Sequence, residues 1–221
     1  MDVVIISASP RSVPKSNSAI FSQAFSDGLS QAGCTFRMFY LSDRSQWHSA
    51  EAAILQGKHT VFVMPIFCGT VPGIFLEFMT KMSECSDMAS QELSDRSMAF
   101  IVHGGLPGRS DFDCCMRFLT TIPEMLRFRF SGIIGFTDTI NIGHIESERK
   151  KILRRLQGAG EEFARNTCGF SQLEAFWGPD DMTQAEGEAY CRFVNRFFRH
   201  VSAAQGCQVP LEYAPYSEEK I

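Results

Sequence analysis

Apolar positions along the chain alternate between a strand-like and a helical period. Val3, Val4, Ile5 and Ile6 make residues 2–7 a buried strand, and residues 18–32 follow as a helix with Phe21, Phe25 and Leu29 on one face and Gly33 closing it. The unit then repeats. Strands are predicted at 34–40, 60–65, 97–103 and within 130–142, with helices near 49–56 and at 72–88, 111–127 and 146–167. Pro72 falls in the first turn of the 72–88 helix, whose inner side reads as Phe75, Leu76, Met79 and Met82. Thr183 and Glu186 form a capping box ahead of a last helix. Its stripe of Tyr190, Phe193, Val194, Phe197 and Val201 faces either its own core or a second subunit. Strands alternating with helices predict an α/β fold, a three-layer α/β/α sandwich around a doubly wound, five-stranded parallel sheet. That domain is expected over 1–170, with 171–221 a C-terminal helical extension and tail packed on the same domain or on a dimer partner.

Composition narrows the function classes. With 221 residues, 44% of them hydrophobic, the chain can bury a full core, and 20 phenylalanines are its one compositional excess. A net charge of −4 offers no footprint for nucleic acid. The basic run Arg149, Lys150, Lys151, Arg154 and Arg155 reads as a solvated helix face or as a contact for a subunit or an acidic partner. Eight cysteines without a C-x-x-C pair suit free thiols in a cytoplasmic protein, and no metal is expected. The first strand begins without a basic leader, and no apolar run reaches the ~18 residues of a membrane span.

Candidate chemistry gathers in three loops. After the first strand, Ser7, Ser9, Ser12, Ser16 and Ser18 supply hydroxyls, Asn17 an amide and Arg11 a cationic fork beside a helix N-terminus that favours an anion. After the third comes PIFCGTVPG, where Gly69 and Gly73 allow close backbone approach and Phe67 offers a ring face. After the fourth comes HGGLPG, from His103 to Gly108. In a doubly wound sheet such loops converge where strand order reverses, which suits a planar ligand bearing a phosphate. There is no G-x-G-x-x-G and no P-loop signature, and Met64 and Pro65 stand where a receiver domain needs a carboxylate.

The first-loop Ser9-Pro10-Arg11 followed by Ser16-Asn17-Ser18, with P-I-F-C-G-x-x-P-G in the second loop, resembles the flavodoxin-like NAD(P)H-dependent flavin reductases, which include relatives of the iron–sulfur flavoproteins. The resemblance covers about residues 2 to 165. It implies a flavodoxin-like strand order 2-1-3-4-5. It also implies FMN held by its phosphate at Ser9, Arg11, Ser16, Asn17 and Ser18, with the ring against Pro65, Ile66, Phe67, Cys68 and Gly69 and against His103, Gly104 and Gly105. In that family, backbone amides of the second loop lie near N5 and O4 of the flavin. Phe67 stands where Tyr is common, and residues 41–58 lack the cysteines of the cluster-bearing relatives.

The activity so implied is transfer of reducing equivalents from NADH or NADPH through FMN to a quinone, a flavin or a similar small acceptor, in a homodimer. Because the flavin carries the chemistry, no catalytic side chain is required, although His103 is a candidate proton donor. Two alternatives remain: a non-enzymatic FMN-binding electron carrier, and a hydrolase or transferase using Cys68 as nucleophile with His103 as its base.

Overall fold

The computed structural model describes residues 2–84, 93–105, 107–139, 142, 145–166, 169–170, 174–178, 183–204 and 206. Contacts divide the chain into two units, Met1–Asp180 and Asp181–Ile221. In the first, β1 (Asp2–Ser7), α1 (Asn17–Gln31), β2 (Thr35–Tyr40), α2 (Trp47–Gln56), β3 (His59–Pro65) and α3 (Gly73–Ser83) follow one another. Then come β4 (Ser97–His103), α4 (Asp113–Met125), β5 (Arg129–Phe136), α5 (Glu146–Arg165) and β6 (Glu174–Trp177). The second unit holds α6 (Gln184–Ala204), started by the expected capping box, in which the Thr183 amide and hydroxyl both donate to Glu186 Oε2.

All strand pairs are parallel, in the order β2-β1-β3-β4-β5-β6. The expected five strands and their order are present, and β6 adds a sixth that periodicity does not show, because four residues are too few to establish alternation. The fifth strand stops at Phe136 instead of running toward 142, which leaves Thr137, Asp138 and Thr139 as loop.

Alternation along the central strands feeds two cores. Val4, Ile6, Phe62, Met64, Phe100 and Val102 pack with α2, α3 and α4, while Val3, Ile5, Val61, Val63, Ala99 and Ile101 pack with α1 and α5. The phenylalanine excess fills both layers. Phe62 meets Phe75 and Phe100 on one face, and Phe25 meets Phe163 and Phe170 on the other, each buried ring contributing roughly 1.5–3 kcal/mol. On α3 the inner face is Phe75, Phe78, Met79 and Met82; Leu76, expected inside, is 40% exposed. Pro72, expected in the first turn, occupies the N-cap position just outside that helix without a side-chain cap bond, its carbonyl accepting from the Phe75 amide. The far ends of the predicted 72–88 and 146–167 helices and the 207–221 tail lie outside the described residues.

α1 and α5 cross at two glycines. A Cβ on Gly28 would lie 2.0 Å from the Gln157 carbonyl oxygen, and one on Gly160 would lie 2.2 Å from that of Phe25. Gly158, on the same helix, has open space around its missing Cβ. Gly160→Ala should therefore destabilise by roughly 2–3 kcal/mol through overpacking. Gly158→Ala should stabilise by about 0.5–1 kcal/mol through helix propensity. Urea unfolding of the two variants checks the contrast, and equal effects would contradict this packing.

Candidate functional site

Strand register brings the three loops to one edge. Pro65 pairs with His103 and His103 with Phe136, so β3, β4 and β5 end level. The Ala8 amide donates to the Val63 carbonyl, carrying the end of β1 to the same height. Between them lies a cavity of about 230 Å³ lined by Ser9, Arg11, Asn17, Ser18, Pro65, Ile66, Phe67, His103, Gly105 and Thr139.

One end of the cavity is built from donors. Ser9 and Ser18 are nearly fully buried, and the Ser9 hydroxyl accepts from the Arg11 amide at 3.2 Å, which turns the loop so that the exposed Arg11 side chain stands at the rim. Asn17 and Ser18 open α1, where backbone N–H groups have no intrahelical acceptor and the helix dipole favours negative charge. Ser16 acts differently, because its hydroxyl accepts from the Ala19 amide as the N-cap of α1 and does not line the cavity.

The other end is backbone and ring. The Ile66 amide donates to the His103 carbonyl at 2.8 Å, fastening the second loop to the third. Phe67 and Thr70 exchange amide-to-carbonyl bonds of 3.0 Å around Cys68 (φ 49) and Gly69 (φ 73), the two-residue turn that needs left-handed backbone at both central positions. That turn holds Phe67 43% exposed as a wall of the cavity, while Cys68 and Gly69 stand at its tip, outside the lining. Gly73 has open space around its missing Cβ, so it serves no close approach. Gly104 does serve one: a Cβ there would lie 2.8 Å from the Phe112 ring, although Gly104 itself is outside the lining.

His103 joins the loops. Its Nε2 lies 2.8 Å from Ser18 Oγ, and its Nδ1 lies 3.5 Å from the Thr139 hydroxyl, which donates to the Gly104 carbonyl at 2.8 Å. Phe21 packs on the imidazole with ring centroids 4.7 Å apart. Burial, reinforced by the Arg11 charge, pushes the imidazole pKa down to about 3. His103 is therefore neutral near pH 7. Because the Thr139 hydroxyl spends its proton on Gly104, the ring proton sits on Nδ1 facing the Thr139 oxygen, and Nε2 accepts from the Ser18 hydroxyl. A ring this reluctant to hold a second proton is no proton donor at neutral pH, and its nitrogens face Ser18 and Thr139 instead of a thiol, which removes the Cys68–His103 nucleophile pair.

Thr139 is the lining residue that sequence reasoning missed. Its signal is the polar triplet Thr137-Asp138-Thr139, which breaks the apolar run at Phe136 and so marks the end of the strand. Among the described residues no group of His, Cys, Asp or Glu is arranged to hold a metal ion, and no helix is long and apolar enough to cross a membrane.

No family model and no curated protein matches this chain. Solved structures do. An FMN-dependent NADH-azoreductase from Bacillus anthracis, in complex with FMN, aligns with a TM-score of 0.55 at 15% identity, over 76% of this chain and 100% of the other. An NAD(P)H:quinone oxidoreductase from Methanothermobacter marburgensis aligns with 0.53 at 16%, over 74% and 96%. An NADH:FMN oxidoreductase in its apo form aligns with 0.57 at 15%, over 75% and 89%. Likeness at such identity establishes the fold, and this chain has the flavodoxin-like α/β fold.

The His103 environment sets a pH dependence. The unfolded chain takes up the imidazole proton near pH 6.5 and the folded protein only near 3, so stability present above pH 6.5 is lost as pH falls through that window, by at most about 1.4 kcal/mol per pH unit. Between pH 7 and 4.5 the wild type should lose roughly 2–3 kcal/mol more than His103→Gln in urea unfolding. Parallel pH profiles would refute the burial of a neutral imidazole.

Proposed function

We propose that the chain is an FMN-dependent oxidoreductase that passes reducing equivalents from NADH or NADPH to a quinone, a flavin or a similar small acceptor. The observation that carries this reading is the composition of one cavity. Buried hydroxyls, the opening turn of α1 and a guanidinium lie at one end, and a backbone-lined slot beside an aromatic wall lies at the other. Those are the needs of a flat ring that carries a phosphate. The flavodoxin-like fold shared with structures described as FMN-dependent reductases supports the same reading.

In this reading Ser9, Arg11, Asn17 and Ser18 hold the FMN phosphate, and Pro65, Ile66, Phe67, His103, Gly105 and Thr139 surround the ring. Bound FMN supplies hydride acceptance from the nicotinamide and onward delivery of electrons. The chain positions it. Arg11 and the α1 amides neutralise the phosphate, Pro65, Ile66 and Phe67 flank the ring with the Ile66 and Phe67 amides already spent within the loops, and neutral His103 orients Ser18 without adding charge. Ser16 contributes by capping the helix whose amides bind, and Cys68 and Gly69 by shaping the turn that presents Phe67. We assign the protein to the cytoplasm as a homodimer, the latter supported by the half-exposed Phe193 on the amphipathic α6.

The visible spectrum tests the assignment. FMN-reconstituted protein should hold a flavin band through gel filtration, and NADH or NADPH should bleach it without oxygen. Catalytic donor oxidation once a quinone is added separates an enzyme from an electron carrier, which would keep the band yet fail to turn over any nicotinamide. Protein that stays colourless after reconstitution refutes the flavin site.

A further inference from the structure

A second cavity opens at the same sheet edge, past the ends of β5 and β6. It measures about 490 Å³ and is lined by Phe136, Thr137, Asp138, Trp177 and Gly178 from the sheet side and by Glu148, Lys151, Ile152 and Arg155 from α5. The four α5 residues follow 3.6-residue spacing, so one face of the basic helix looks into it. Elsewhere on that helix Lys150 pairs with Glu146 and Arg165 with Glu161, but Lys151 and Arg155 have no acidic partner among the described residues.

The chemistry of the lining is specific. Trp177, held edge-on by Phe136 with centroids 4.8 Å apart, offers a half-buried ring for stacking. Lys151 and Arg155 suit a phosphate, and the Asp138 and Glu148 carboxylates suit sugar hydroxyls. Asp138 sits in left-handed backbone (φ 55), a strained state found disproportionately at binding sites. Beneath Gly178, the buried Thr137 hydroxyl has no hydrogen-bond partner among the described residues. An aromatic face, a cationic pair, acceptors for a diol and an unsatisfied polar floor together describe a nucleoside phosphate.

Position ties this cavity to the first. Thr137 lines one and Thr139 the other, two residues apart and hence within about 7 Å along the chain. β5 and β6 lie one and two strand spacings from β4, each about 4.8 Å. A donor whose nicotinamide reaches the first cavity has its other nucleotide within reach of the second. We propose that this cavity binds the phosphate-bearing adenosine arm of the nicotinamide donor, an inference that rests on the first cavity being the flavin site.

Trp177 is the reporter. In wild-type protein 2′,5′-ADP should quench tryptophan fluorescence saturably, Trp177→Phe should abolish the quench, and the exposed double substitution Lys151→Gln/Arg155→Gln should weaken binding at least tenfold. In the FMN-loaded enzyme the double variant should raise KM for NADPH or NADH about tenfold with kcat within twofold. KM for reduced nicotinamide mononucleotide, which lacks the adenosine arm, should not change. The proposal is overturned if 2′,5′-ADP gives no saturable quench, if both donors lose equally, or if 2′,5′-ADP binds while donor KM is unmoved, the mark of a site for a free nucleotide. Should the protein take up no FMN, the spectrum alone refutes the flavin reading, and comparing NADPH with reduced nicotinamide mononucleotide in the quenching titration still decides the arm.

Discussion

Reversal of strand order beside β1 is the constraint on which the rest depends. The chain leaves β1 toward β2 on one side and returns through β3 to β6 on the other, so the loops that follow β1 and β3 diverge and a crevice opens between their strand ends. Parallel pairing makes that crevice deep, because all the strands end at the same edge. The start of α1 must lie beside it, which delivers unpaired amides to the place where the loops after β3 and β4 also arrive. His103 then fastens three other segments to its own through Ser18, the Ile66 amide and Thr139. It does so as a neutral group, so the electrostatic attraction for an anion falls to Arg11 and the helix dipole.

Much of this was legible in the residues. The apolar run Val3–Ile6 and the 3.6-residue repeat of Phe21, Phe25 and Leu29 specify a strand and a helix by period alone, and repetition of that pair specifies the layers. The meeting of the loops was legible too, because turns that follow neighbouring parallel strands converge at one sheet edge, where Ser9, Arg11, Asn17 and Ser18 line a cavity with Pro65, Ile66, Phe67 and His103. What escaped was set by three-dimensional neighbours. Nothing local shows that Ser16 spends its hydroxyl on Ala19 while Ser18 spends its own on His103, 85 residues away. Cys68 carries no mark of the left-handed backbone that places it at a turn tip. Leu76 obeys the helical period yet lies outside the α3 core, because the packed face of that helix turns toward Phe78.

α5 shows how one element serves two ends. Its Gly160 permits backbone contact with α1 and so braces the helix that opens the first cavity, whereas its Lys151 and Arg155 face the second. A basic run that reads as mere solvation in one dimension is thereby split into residues paired along the helix and residues turned into a cavity.

If the first cavity recognises the phosphate as well as the ring, isothermal titration should separate FMN from riboflavin. Charge-assisted bonds of about 1.5–3 kcal/mol each predict that FMN binds at least tenfold more tightly than riboflavin, and that Arg11→Gln removes most of this advantage while leaving riboflavin affinity unchanged. Equal affinities of the wild-type protein for FMN and riboflavin would contradict the account.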